Sequence, residues 1–263
     1  MPSSIIACVI VRMKSTRLKR KALLDLNGNT ILEQLIRRLR LAKSIDRIVL
    51  CTSSNKEDTI LLNKAKEYGV DAYAGDEEDV LSRLIDVAKI YNAKAVIRVT
   101  GDNPFTDHSN IDQLVKKFLE TGAEYLRTNR LPLGVTAEIM ERRFLTKLHK
   151  SMEDPRQSEY MSFYSFNPDL YHCEVLFPPE YLDRPYYSLT IDYQDELDLA
   201  RKIYSHCKSK DGIPRLKDVI EFLDSDESYM PVDKMKEIKL PNNETMYYKN
   251  LIDLLDKLAK KIK

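Results

Sequence analysis

Arg12, Ser15, Thr16, Arg17 and Lys21 all fall in the run Arg12-Met13-Lys14-Ser15-Thr16-Arg17-Leu18-Lys19-Arg20-Lys21. The run follows directly on the apolar segment Ile5-Ile6-Ala7-Cys8-Val9-Ile10-Val11. Packing gives no reason for a buried strand to empty into cations and hydroxyls. Fixed positive charge and hydrogen-bond donors at the carboxyl end of a strand suit an oligophosphate, whose several negative charges need matching. A nucleoside triphosphate is therefore the first ligand to consider. Arg12, Arg17 and Lys21 would be its chief partners, with Ser15 and Thr16 adding hydroxyl and backbone donors. The competing reading is a solvated cationic turn.

Two further stretches end in carboxylates. Val99-Thr100-Gly101-Asp102-Asn103-Pro104 closes an apolar strand, so Gly101 permits close backbone approach and Asp102 places a hard oxygen ligand at the sheet's edge. That suits Mg²⁺ held jointly by protein and phosphates; a plain turn with an Asp cap is the alternative. Leu189-Thr190-Ile191-Asp192 is again a β-branched strand ending in Asp, ahead of a helix from about Asp195. Taken alone, Asp192 reads as an N-cap. Taken together, the three stretches describe a metal-assisted nucleotidyl-transfer site. Asp102 and Asp192 would hold the metal, and Arg17, Lys21 and Asp102 would carry the catalysis.

These groups need a scaffold. Strand patterns fall at 5–11, 47–52, 71–74 and 95–100, and helical periodicity at 31–41, 58–68, 80–91 and 109–121. Asp79 is a plausible N-cap, as is Asp107 or Ser109. Such alternation implies an α/β fold with a mostly parallel sheet covered on both faces. Ligands gather beyond the carboxyl ends of such strands, which places the chemistry just after Val11, Thr52 and Thr100. From Tyr125 to Tyr187 the rhythm breaks, with six prolines between short pieces: strands at 172–177 and 187–191, helices at 144–150 and 158–166. This segment, about 126–186, reads as an arm inserted into a domain spanning 1–205. Its aromatic residues fit a small second core or a subunit interface. Residues 206–263 read as a Lys-rich extension with helices at 216–223 and 250–262.

Composition excludes several classes. The chain has 263 residues, enough for a sizeable core, and a net charge of +1, so no basic excess points to nucleic acid. No apolar run is long enough to span a membrane, and the amino terminus lacks a signal-peptide layout. Cys8, Cys51, Cys173 and Cys207 form no C-x-x-C pair, which argues against disulfides or zinc and for a reducing cytoplasm.

At these residues the chain resembles the cytidylyltransferases that make CMP-activated acidic sugars. Within them it is most similar to the spore-coat polysaccharide branch, relatives of the acylneuraminate and ketodeoxyoctonate enzymes. The resemblance rests on Arg12-Met13-Lys14-Ser15-Thr16-Arg17-Leu18 with Lys21, on Arg98-Val99-Thr100-Gly101-Asp102-Asn103-Pro104 and on Thr190-Ile191-Asp192. It is supported by Thr52-Ser53-Ser54-Asn55-Lys56-Glu57-Asp58 and by Gly75-Asp76-Glu77-Glu78-Asp79-Val80-Leu81-Ser82-Arg83, and it covers roughly residues 5–205. It implies a GT-A-like, Rossmann-like nucleotidyltransferase fold, CTP and Mg²⁺ as partners, and a homodimer formed through the inserted arm. It also implies that Thr52, Ser53, Asp79 and Arg83 lie near the nucleotide, and that Glu138 and Glu159 face the acceptor. For Arg83 and Arg98 an ion pair inside the sheet–helix layer is an equal alternative.

The departures are specific. Lys14 and Arg20 stand where the family usually has glycine, Lys19 where it has proline, Thr136 where it has aspartate and Tyr160 where it has histidine. The loop has no glycine, so side-chain cations must make up for restricted backbone approach. The expected reaction is attack by an acceptor oxygen, such as the anomeric hydroxyl of an acidic keto sugar, on the α-phosphorus of CTP. Rival readings are a cytidylyltransferase for a phosphorylated or phosphonate acceptor, a glycosyltransferase using Asp224-Ser225-Asp226, and a scaffold without activity.

Overall fold

β1 (Ser4–Ile10) shows why residues 5–11 are apolar at consecutive positions. Ile5, Ala7 and Val9 enter one cluster with Leu32, Leu61, Ile111 and Phe118, whereas Ile6 and Cys8 enter another with Leu81, Leu84, Phe144 and Leu148. A strand covered on both faces has no solvent side to leave polar. The computed structural model describes residues 4–15, 17–207, 209, 211–240 and 244–262, without the side chains of 159 and 160. Thr16 and the Glu159 side chain, both expected at the site, therefore lie outside the described residues.

After β1 the chain forms a small hairpin of β2 (Asp25–Leu26) and β3 (Asn29–Thr30), then α1 (Ile31–Leu39). β4 (Arg47–Ser53), α2 (Thr59–Glu67), β5 (Asp71–Gly75), α3 (Val80–Ile90), β6 (Ala93–Thr100) and α4 (His108–Thr121) follow at the expected places. Asp79 caps α3 and Asp107 caps α4, each through a side-chain oxygen accepting a backbone N–H three residues on. Next come β7 (Tyr125–Thr128), β8 (Glu138–Glu141), α5 (Arg142–Ser151), α6 (Met161–Ser165) and β9 (Cys173–Leu176). The chain closes with α7 (Gln194–His206), α8 (Leu216–Ser225), a hairpin of β10 (Glu237–Lys239) and β11 (Thr245–Tyr247), and α9 (Tyr248–Ala259).

The main sheet has seven strands in the order β5-β4-β1-β6-β8-β7-β9. All neighbours pair in parallel except β8, which runs antiparallel to both β6 and β7. The sheet is therefore mixed and mostly parallel, with α1, α2 and α4 on one face and α3, α5 and α6 on the other. The segment read as an inserted arm supplies β7, β8 and β9 to this same sheet. In the tail, Ala259, Leu255 and Leu258 of α9 pack back onto the α3–α5 face.

Two expectations are corrected. Residues 187–191 are not a strand: one bridge joins Leu133 to Ser188, and the chain at Leu133 then turns away at Gly134 (φ +85°) before a ladder can extend. Residues 158–166 are not one helix. A 3-10 turn over Pro155–Tyr160 leads into α6, because Pro155 opens the segment with Asp154 as its cap.

Candidate active site

Asp102 follows β6 and Asp192 precedes α7, ninety residues apart in the chain, yet both meet one ammonium group. Lys21 Nζ donates to Asp102 Oδ2 and to Asp192 Oδ1 at 2.6 Å each. The backbones are tied as well, since Ile191 N donates to Asp102 O at 3.0 Å. Arg17 adds a second cation, with Nη1 3.1 Å from Asp192 Oδ2 and its guanidinium over the Tyr193 ring. Burial opposes the charge on Lys21, but the adjacent Asp102 and Asp192 outweigh it and raise its pKa above the ordinary lysine value.

Small residues make this convergence fit. Gly101 N donates to Ile10 O at 2.8 Å, and a Cβ on Gly101 would lie 2.7 Å from Val11 Cβ. The close approach is thus to β1 itself, and it brings Asp102 beside the basic loop. A Cβ on Gly134 would lie 2.5 Å from Thr190 N, so the β7–β8 connection runs directly over the segment that carries Asp192. The Asp192 side chain does not cap α7; Glu196 accepts from Asp192 N (2.5 Å) and Tyr193 N (3.0 Å) instead.

These residues line an open cleft of about 640 Å³. Of the expected site residues, the cleft collects Arg12, Ser15, Arg17, Lys21, Arg83, Asp102 and Asp192, and it adds Lys14, Arg98 and Leu133. Arg83, from α3, is 2% exposed and its Nη1 donates to Cys51 O at 3.4 Å. Its Nε has no hydrogen-bond partner among the described residues. Burial is the main cause lowering its pKa, with Arg12 adding repulsion. A desolvated guanidinium of that kind is short of an acceptor.

The other expected residues stand back from the cleft. Asp79 is occupied as the α3 cap and by His149 Nε2 at 2.6 Å, so it sets the helix bearing Arg83. Thr52 and Ser53 are buried at the end of β4; the Thr52 hydroxyl lacks a partner among the described residues, and Ser53 is bound to Asp58. Glu138 does not line the cleft, which corrects its expected place against the acceptor. It lies behind Arg98, 7% exposed, accepting from Arg98 Nη1 at 3.0 Å and Tyr125 Oη at 2.5 Å. The Asp-x-Asp triplet near the tail is tied up elsewhere: Asp224 pairs with Arg184, and Asp226 with Lys202.

Asp58 is a site residue the sequence reading passed over as a helix start. Its carboxylate is 1% exposed and accepts from Met13 N at 2.6 Å and from both the N and Oγ of Ser53. It therefore fastens the basic loop to the end of β4. The signal was an acid within a polar run after a strand, which also describes an ordinary turn.

Two carboxylates alone do not make a closed metal cage, and no group of three or more His, Cys, Asp or Glu side chains clusters among the described residues. The donor set nonetheless fits Mg²⁺, which is commonly held by one or two carboxylates, with waters and phosphates completing its shell. The ammonium of Lys21 already marks the point between these carboxylates as one that stabilises a cation.

The sequence profile of a family described as cytidylyltransferase matches residues 6–252. An uncharacterized protein from Methanocaldococcus jannaschii is 34% identical over 221 residues, 84% of this chain and 90% of its own. The spore coat polysaccharide biosynthesis protein SpsF of Bacillus subtilis is 31% identical over 208 residues, 77% of this chain and 87% of its own. Among solved structures, a cytidylyltransferase from Leptospira borgpetersenii superimposes with a TM-score of 0.77 at 27% identity, over 88% of this chain and all of that one.

Proposed function

The chain belongs to the cytidylyltransferase family, and from that premise we propose that it transfers CMP from CTP to an acidic sugar, releasing pyrophosphate, in the making of a surface polysaccharide or glycan. It is a CTP-dependent nucleotidyltransferase acting on a sugar-type acceptor; the acidic character of the acceptor is the proposal. The observation that carries the site assignment is the meeting of Asp102 and Asp192 on Lys21, at 2.6 Å each, inside the cleft lined by the basic loop.

In this reading Arg12, Ser15, Thr16, Arg17 and Lys21 bind the triphosphate. Arg83, which lines the cleft, takes the nucleoside end; its Nε, without a hydrogen-bond partner among the described residues, supports this. Mg²⁺, when held by Asp102 and Asp192, would supply a positive centre that draws charge from the reacting phosphate. The acceptor hydroxyl oxygen bonds to the α-phosphorus while the bridging oxygen to the β-phosphorus leaves with pyrophosphate. Lys21 and Arg17, both beside the Asp192 carboxylate, stabilise the charge that builds on that leaving group. The hydroxyl proton passes to solvent, since no base is assigned.

We also propose a homodimer built on the 126–186 segment, supported by the exposed Leu170 and Phe177 that flank edge strand β9. The proposed compartment is the cytoplasm, supported by four buried thiols with no disulfide. No helix among the described residues is long and apolar enough to cross a membrane.

The test incubates the purified protein with CTP, Mg²⁺ and acidic sugars including 3-deoxy-manno-octulosonate, and follows pyrophosphate. Release that depends on a carboxylated sugar is expected. Asp102→Asn should lower kcat by on the order of 10²–10³-fold with an unchanged circular-dichroism spectrum. Near-normal turnover in that variant removes the metal role.

A further inference from the structure

Glu138 sits between two arginines on neighbouring strands. In the sheet register it faces Arg98 of β6 on one side and Arg127 of β7 on the other. Both carboxylate oxygens are used, one by Arg98 Nη1 and the other by Tyr125 Oη. Burial opposes the charge on Glu138, but Arg98 and then Arg127 outweigh it and lower its pKa. Two arginines and one glutamate give the trio one formal net positive charge.

Of this trio the cleft is lined by Arg98. The sheet order gives that position a meaning. The basic loop follows β1 and Asp102 follows β6, so the cleft groups read as phosphate- and metal-binding run from β1 to β6. Arg98 is paired through Glu138 with β8, on the flank of Asp102 away from β4. In the cytidyl-transfer reading, that flank is left for the second substrate. Leu133, 44% exposed, lines the same cleft and offers an apolar surface for a sugar's carbon skeleton.

We propose that Arg98, oriented by Glu138, is the residue that selects the acceptor by its carboxylate. This rests on the cytidyl-transfer reading and names the group within it that recognises the second substrate. A guanidinium is a planar fork matched to a carboxylate, and the trio's single net charge balances a monoanion better than a phosphomonoester dianion. Glu138 is a positioning residue: it holds the fork's orientation, so that less freedom is lost when the acceptor binds.

The test compares wild type, Arg98→Gln, Arg98→Lys and Glu138→Gln in the full chain. CTP affinity with Mg²⁺ is measured by calorimetry. Steady-state pyrophosphate release is measured with 3-deoxy-manno-octulosonate and N-acetylneuraminate as carboxylated acceptors and 2-C-methylerythritol 4-phosphate as a phosphorylated one. Arg98→Gln is expected to raise the KM for the carboxylated sugar by about 30-fold, with kcat within about fivefold and CTP Kd within about threefold. Arg98→Lys, which keeps the charge but loses the fork, should raise that KM by about tenfold. Glu138→Gln should move KM in the same direction; if it does not fold, the two Arg98 variants decide.

An unchanged KM in Arg98→Gln, or a loss that falls on CTP instead, overturns the proposal while leaving cytidyl transfer intact. Turnover of the phosphorylated acceptor alone, or of none of the three by a wild type that binds CTP, also overturns it. A wild type that does not bind CTP fails the underlying reading itself.

Discussion

Arg20 stands where relatives of the resembled family carry glycine, and its backbone is left-handed, φ 54° and ψ 30°. An L-residue pays for that conformation through the contact of its Cβ with the backbone, about 1–2 kcal/mol, which glycine avoids at some cost in unfolded-state entropy. The Arg20 side chain is exposed and does not line the cleft. Arg20→Gly should therefore stabilise the protein by about 0.5–1 kcal/mol, raising Tm by roughly 2 °C; a drop in Tm contradicts this. Asp58 works the other way, as a single side chain whose charge is needed. An asparagine there would turn an amide N–H toward one of the N–H or O–H donors that Asp58 now satisfies. Asp58→Asn should raise the CTP Kd by about tenfold without loss of helix content. Calorimetry that finds the same Kd would remove Asp58 from the support of the basic loop.

The elements that matter most at the site are turns, because strands and helices only deliver the chain to the right edge. Residues 188–192 hang from Leu133 and from Asp102 by backbone hydrogen bonds, beneath a glycine with no room for a side chain. Gly134→Ala would place a methyl group 2.5 Å from Thr190 N on a backbone at φ +85°. The obstacle is backbone, not a flexible side chain, so the Asp192 segment must move. A loss of about 3 kcal/mol in stability is expected, with pyrophosphate release abolished. A variant that keeps both its Tm and its kcat would show that the segment can yield without disturbing Asp192.

For the molecule as a whole, the proposed assembly falls on the sheet's far edge. Among the described residues β9 pairs only with β7, and it is flanked by Leu170, 66% exposed, and Phe177, 52% exposed. Exposed edges and apolar side chains together invite a partner chain. Sedimentation equilibrium is expected to give about twice the 30.6 kDa of one chain, and Phe177→Lys with Leu170→Lys should shift it to one. A wild type that stays monomeric at high concentration removes the proposed dimer. At the opposite end of the chain, α9 is pinned by Arg130 Nη1 to Asp256 at 2.9 Å and by Asn129 Nδ2 to Leu255 O at 3.1 Å, so the tail is part of the body.

What the residue order determined is local. The run 5–11 is apolar at every position because both faces are covered, and α1 and α3 show their buried stripe in plain periodicity, with Asp79 legible as the cap of α3. The basic loop and Asp102 were legible for the same reason: each follows a strand, and a strand's end is a place the pattern marks. Glu138 was misplaced because its type and spacing say nothing of what stands between it and the cleft, and only strand pairing put Arg98 there. Residues 187–191 looked like a strand, yet a strand needs a partner, and the turn at Gly134 withdraws it. The meeting of Asp102 and Asp192 belongs wholly to tertiary structure, since ninety residues of chain carry no local signal that their ends will share one ammonium.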